Sequence, residues 1–308
     1  EVPMKILFVA KHNSGDNQDE EAVAFALEKL GHEVIKVHEL QRHRKGVDPL
    51  KIKADMCLFF KWESYFEVAE LAKSMPVICW YFDLISSDDP TLKSRMEFRR
   101  MWFNRMLPHL ALFVCTDGDW VDYQSNHTDK CRWLMQGMDE RVAGFGTPLP
   151  QPQPPILFTG TPHHGRMRYE QIHDLQNMFK DKMQVLGAGG PRGRIHGRHL
   201  ADMFASVRGV IAPIGPVTDC YWSNRVYLTT GLGGALLHPR SKGVERHYNG
   251  TEVCYYHGQD LPAIIDRFLS EPQEWIDNWR LAGYKRTMAD HTYLKRCTRL
   301  MELVQEVI

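Results

Sequence analysis

The chain has 308 residues, 43% of them hydrophobic and 25% charged, with a formal net charge of zero. Those values suit two packed domains and exclude a disordered or strongly basic nucleic-acid-binding chain. No apolar run is long enough for a membrane-spanning helix, the start lacks a signal-peptide pattern, and the seven scattered cysteines form no CxxC pair, so a cytoplasmic protein with free thiols is expected.

KILFVA at 5–10 is a short apolar run of β character and predicts a first parallel strand. After a polar loop, 19–30 predicts a helix with Ala22, Phe25, Ala26 and Leu30 on one face and Gly31 as its stop. Further strands are expected at 33–37, 56–60, 77–82 and 111–115. Helices are expected at 67–73, at 92–107 and from Trp120 onward, while the basic stretch 41–53 reads as a loop or short helix. Such alternation implies a parallel sheet covered on both faces.

TPLPQPQPP at 147–155 holds five prolines and reads as a stiff linker and domain boundary. The alternation then restarts, with strands at 156–159, 184–187, 210–212 and 252–256. Helices follow at 169–179, 199–206, 261–269, 272–282 and 293–307. Two such domains across a proline hinge would place a cleft at the carboxyl ends of both sheets.

The stretch YWSNRVYLTTGLGGALLHP at 221–239 reads as a polar turn, a helix and a buried strand. Ser223 or Asn224 can cap the helix by accepting a free backbone N–H. Arg225 falls in the first turn, where the helix dipole is already positive. A cation there suits an anion held jointly by N–H groups, dipole and guanidinium. The plainer reading is a solvated helix end. Gly231, Gly233 and Gly234 end the helix and let backbone pass close by.

WSNRVYLTTGLGGALLHP, then GVERHYNGTEVCYYHGQDLPAIIDRFL and GYKRTMADHTYLKR, resembles the carboxyl-terminal half of CgeB-like glycosyltransferases of the spore-maturation type. The resemblance spans roughly 156–300. It implies a GT-B fold, an α/β architecture of two Rossmann-like domains with parallel sheets facing a central cleft. The acceptor domain would be 1–150, the nucleotide-sugar domain 151–290, and 291–308 a last helix packing back on the first domain. It implies transfer of a hexosyl or pentosyl group from a nucleotide diphosphate sugar, UDP-sugar foremost, to a hydroxyl acceptor that is a glycan, protein, small molecule or DNA. No cofactor and no obligatory metal are implied. Similar enzymes often carry in this helix a Glu that binds the donor ribose. Leu228 stands there and cannot accept those hydrogen bonds. A catalytically silent nucleotide- or carbohydrate-binding protein is therefore a second reading.

A departing diphosphate must be neutralised, an electrostatic task with three candidate locations. One is Arg225 with Ser223 and Asn224. Another is the loop from Gly160 to Arg166, where His164 lies and Arg166 or Arg168 supplies the cation. The third is Gly187-Ala188-Gly189-Gly190, with Gly189 at its centre, open to backbone approach or simply an ordinary turn. His196 stands where fold analogy places the nucleotide base. Adjacent His163 and His164 point apart without a third ligand, so no metal is expected. Unless configuration is retained, the acceptor hydroxyl needs a general base. The candidates are His12 after the first strand and Asp83 after the fourth, beside Trp80, Tyr81 and Phe82. In His291-Thr292-Tyr293, Thr292 is expected to cap the last helix.

Finally, KSRMEFRRMWFNR at 93–105 places Arg95, Arg99 and Arg100 near one helix face, interleaved with Trp102 and Phe103. That pattern can track a nucleic-acid backbone or be a solvated face. It keeps a phage-type transferase acting on hydroxymethylated DNA bases as an alternative.

Overall fold

The computed structural model describes residues 2–12, 19–39, 47–87, 89–161, 166–187, 195–212 and 218–308, with the side chains of 166 and 167 outside the description. The chain divides into two compact units, Glu1–Asp139 together with Tyr293–Ile308, and Glu140–Thr292.

The first unit is a parallel sheet ordered β2-β1-β3-β4-β5-β6. Its strands are β1 (Lys5–Ala10), β2 (Glu33–His38), β3 (Met56–Phe59), β4 (Val77–Tyr81), β5 (Leu112–Cys115) and β6 (Cys131–Trp133). Alternate residues face opposite sides of a strand, and both sides here are covered. Ile6, Phe8, Leu58, Trp80 and Val114 pack on α1 (Asp19–Lys29) and α11 (Tyr293–Gln305). Leu7, Val9, Phe59, Tyr81 and Phe113 pack on the other side against α2 (Tyr65–Leu71), α3 (Lys93–Met106) and α4 (Gly118–Gln124). Burial on both faces explains why these strands read as unbroken apolar runs. The last helix of the chain thus completes the core of the first unit. Leu300, Met301 and Val304 lie in one apolar cluster with Ala22, Val23 and Leu27.

The second unit is a parallel sheet ordered β11-β10-β9-β7-β8. Its strands are β7 (Ile156–Thr159), β8 (Met183–Leu186), β9 (Gly209–Ile211), β10 (Leu236–Pro239) and β11 (Cys254–Tyr256). The helices are α5 (Arg166–Phe179), α6 (Gly197–Ala205), α7 (Arg225–Gly231), α8 (Lys242–His247), α9 (Leu261–Ser270) and α10 (Gln273–Asp290). The proline-rich segment 147–155 lies in this unit, and its first residues are tied to α6. The Thr147 N–H donates to Asp202 Oδ1 at 2.7 Å and the Leu149 N–H to Ser206 Oγ at 2.7 Å.

Three elements differ from the sequence-based expectation. β6 and α8 were not anticipated, being only three and six residues long. α10 runs through Gly283 to Asp290, although the sequence predicts an end at 282. A Cβ on Gly283 would stand 2.8 Å from the Glu252 carbonyl oxygen, so this glycine permits a close crossing instead of stopping the helix. Beside it, Thr230 of α7, Thr287 of α10 and Tyr248 share buried hydroxyl contacts of 2.6 and 2.9 Å. Among the described residues no helix is long and apolar enough to cross a membrane.

His238 in β10 is fully buried, and its Nδ1–H donates to the Pro239 carbonyl at 2.6 Å. Burial pushes its pKa from 6.5 down to about 4, outweighing that hydrogen bond. The fold therefore holds the neutral ring. Below pH 6.5 the unfolded chain binds a proton that the folded site refuses until about pH 4. Stability is complete above that window and falls through it by about 3 kcal/mol. Urea unfolding across this pH range should show the loss, and His238→Leu should flatten it.

Candidate active site

In a sheet of this order, ligands bind at the carboxyl ends of the strands, where successive connections leave in opposite directions. For the second unit that point lies between β7 and β9. Gly160 directly follows β7, with φ +149°, and its N–H donates to the Leu186 carbonyl at 2.9 Å. Gly187 directly follows β8, also at φ +149°. A Cβ on Gly187 would stand 1.9 Å from the Gly160 carbonyl oxygen. The two strand ends are locked backbone to backbone. Arg225 reaches this floor, its Nε 3.6 Å from where a Gly160 Cβ would be.

The turn that delivers Arg225 is anchored from below. Trp222 is fully buried and its Nε1–H donates to the Tyr227 hydroxyl at 3.1 Å. That hydroxyl lies 3.0 Å from His247 Nδ1. His291 stacks on His247 with ring centres 4.8 Å apart, and its Nε2 lies 3.0 Å from the His247 carbonyl. Ser223 Oγ accepts the Arg225 N–H at 3.4 Å. Asn224 is not the cap suggested by its residue type, because it is already helical in backbone and its side chain makes no capping bond. At the other end of α7 the glycines close the helix. The Gly233 N–H donates to the Thr230 carbonyl at 3.0 Å, with Gly233 at φ +74°.

Arg168, in the first turn of α5, joins Arg225. It is only 8% exposed, and its Nη1 donates to the Thr161 carbonyl at 3.4 Å. Burial, and then the Arg225 charge, push its pKa down to about 10, opposed by Tyr221. Two guanidinium groups kept near each other at a strand end make a site that favours an anion. Arg166 opens α5, but its side chain lies outside the described residues, as do His164 and Gly189 entirely. His196 is exposed and precedes α6 in extended conformation, without a side-chain cap bond. Among the described residues no group of three or more His, Cys, Asp or Glu is placed to hold a metal.

In the first unit the corresponding point lies between β1 and β3. Asp83, after β4, pairs through Oδ2 with Lys61 Nζ and with Arg99 Nη2, the latter at 2.9 Å. Arg99 Nη1 also donates to the Leu84 carbonyl at 2.6 Å. Buried Asp117 fixes this loop by accepting from the Ile85 N–H at 2.8 Å, and from the Ser86 N–H and hydroxyl at 2.7 and 2.9 Å. His12 is buried, with Nδ1 3.0 Å from Glu21 Oε1 and Nε2 3.1 Å from the Phe8 carbonyl. A carbonyl only accepts, so Nε2 carries a proton. Both ring nitrogens are engaged inside the unit, which removes the lone pair a general base would offer. Glu20, in the first turn of α1, is a buried carboxyl with Oε2 unpartnered among the described residues. Burial foremost, with Asp19 and Glu39, raises its pKa to about 7 against the Lys61 charge.

Sequence reasoning named Arg168 only as a substitute for Arg166, and passed over Lys61, Asp117, Glu20 and the Trp222–Tyr227–His247 support. Lys61 and Asp83 are separated by helix α2 and strand β4, and no local pattern links them.

Residues 168–302 match the glycosyl transferase-like family. The fold is GT-B. Sucrose-phosphate synthase from Thermosynechococcus elongatus is similar at 13% identity, with 98% of each chain covered and a TM-score of 0.64. Anabaena HepE, in complex with UDP and glucose, is similar at 10% identity, covering 98% of this chain and 100% of that one, with a TM-score of 0.65. A UDP-N-acetylglucosamine 2-epimerase shares the architecture at 11% identity, with 98% and 95% covered and a TM-score of 0.50. The same fold thus carries different reactions, and the family match over 168–302 supports a glycosyltransferase. No curated protein matches the chain.

Gly187→Ala combines positive φ with a backbone collision. It is expected to cost about 2–3 kcal/mol. Gly31→Ala, at φ +93° with open space around it, should cost only about 1 kcal/mol. Urea midpoints of the two variants check the difference.

Proposed function

We propose that the protein transfers a sugar from a nucleotide diphosphate sugar to a hydroxyl acceptor. The donor phosphates would lie on the second unit, and the convergence of Arg168 and Arg225 over the Gly160 backbone carries this reading. Both cations are partly desolvated, so an incoming diphosphate relieves their mutual repulsion as well as gaining charge-assisted hydrogen bonds. As the bond from the sugar carbon to the phosphate oxygen breaks, charge grows on that oxygen, and the pair is fixed in advance to meet it. A UDP-sugar is the proposed donor, prompted by the UDP and UDP-glucose that HepE holds in its own structures. The CgeB-like resemblance belongs to the same reading.

The acceptor would lie on the first unit near Asp83, whose Oδ2 is held by Lys61 and Arg99 while Oδ1 has no partner among the described residues. Glu20, with its carboxyl raised to about 7, is suited to proton exchange near neutrality. Leu228, half-buried in α7, sustains a second reading, a nucleotide-binding protein without transfer activity.

Thermal melts with UDP, GDP, ADP, CDP and TDP, each without metal, test the proposal. UDP at about 100 times its dissociation constant should add about 2.7 kcal/mol to stability. Arg225→Ala and Arg168→Ala should each remove most of that response. Absence of any nucleotide response would reject the proposal. A UDP response without sugar release from any UDP-sugar would favour the silent binder.

A further inference from the structure

Of the arginines on the face its sequence pattern selects, only Arg95 lies on the open face of α3. Arg99 is turned to Asp83, Trp102 stacks on Tyr81 with ring centres 5.2 Å apart, and Phe103 is buried. These residues, which would have gripped a nucleic acid, are used inside the unit. Exposed instead are Arg95, Phe98, Met101 and Arg105, spaced three, three and four residues apart and therefore on one stripe of the helix. Phe98 is 52% and Met101 61% exposed. The Arg105 guanidinium lies 4.6 Å from the Tyr65 ring centre, joining the end of α3 to the start of α2. The next residue, Phe66, is 58% exposed.

The stripe has two large apolar side chains at its centre and an arginine at each end. Lys93 is a further exposed cation, and Glu97 on the flank is the acidic residue of the helix. A nucleic-acid strand would pair cations with ring faces for its bases to stack on. Met101 has no ring face, yet occupies the middle. An anionic bilayer surface uses both parts of the stripe. Arginines meet the headgroup phosphates, with their stems along the interface, while Phe and Met side chains enter the acyl boundary. We infer that the α3 stripe docks the first unit onto an anionic phospholipid surface. The helix would lie in the plane of that surface, bringing the acceptor unit to membrane-borne hydroxyl compounds.

Sedimentation of the full chain with vesicles tests this, using phosphatidylcholine alone or equal parts phosphatidylcholine and phosphatidylglycerol, at low and high salt. The wild type should sediment with the mixed vesicles only, and less at high salt. Phe98→Ser/Met101→Ser and Arg95→Glu should each weaken binding at least tenfold. All three side chains are exposed, and unchanged melting temperatures verify folding. No sedimentation with mixed vesicles, or variants that bind like the wild type, would overturn the inference. So would binding to a DNA oligonucleotide that displaces the vesicles and survives Phe98→Ser/Met101→Ser, which would return the stripe to nucleic acid.

Discussion

A parallel sheet buried on both faces leaves polar chemistry almost nowhere to go except the strand ends. Both units obey this constraint. Side chains such as Phe8, Phe59, Phe158 and Leu237 are fully enclosed. The ionisable groups emerge where β1, β3 and β4 end in one unit, and where β7 and β9 end in the other. The shared strand order, with the first strand between the second and third, opens a crevice at that end.

The two crevices differ in charge logic. In the second unit Arg168 and Arg225 are like charges brought together, and nearness to Arg225 adds to the burial that already disfavours the Arg168 cation. This arrangement gains when an anion arrives. In the first unit Asp83 is already neutralised by Lys61 and Arg99, so it serves better to orient a neutral partner than to attract a charged one.

Support for these groups comes from deep in the chain. The turn before α7 is fixed by Trp222 and Tyr227, which are in turn fixed by His247, with His291 stacked behind. Immediately after His291 and Thr292 the chain enters the other unit, where the Tyr293 N–H donates to the Met138 carbonyl at 2.8 Å. The rings of His291 and Tyr293 are both buried.

The apolar runs and their spacing were enough to establish alternating strands and helices and the α/β class, because strand burial and helix periodicity are local properties of composition. The make-up of 221–239 was legible for the same reason, since a turn, a cation and a glycine-closed helix are contiguous there. Folding alone selected Arg168 as the partner of Arg225, tied Asp83 to Lys61 and Arg99, and engaged both nitrogens of His12. It also carried α10 past Gly283 and turned Phe98 and Met101 outward while drawing Trp102 and Phe103 in. Each of these depends on contacts between residues distant in sequence, or on which helix face meets the sheet. A one-dimensional pattern constrains such choices only weakly, because side-chain direction is decided when the layers pack.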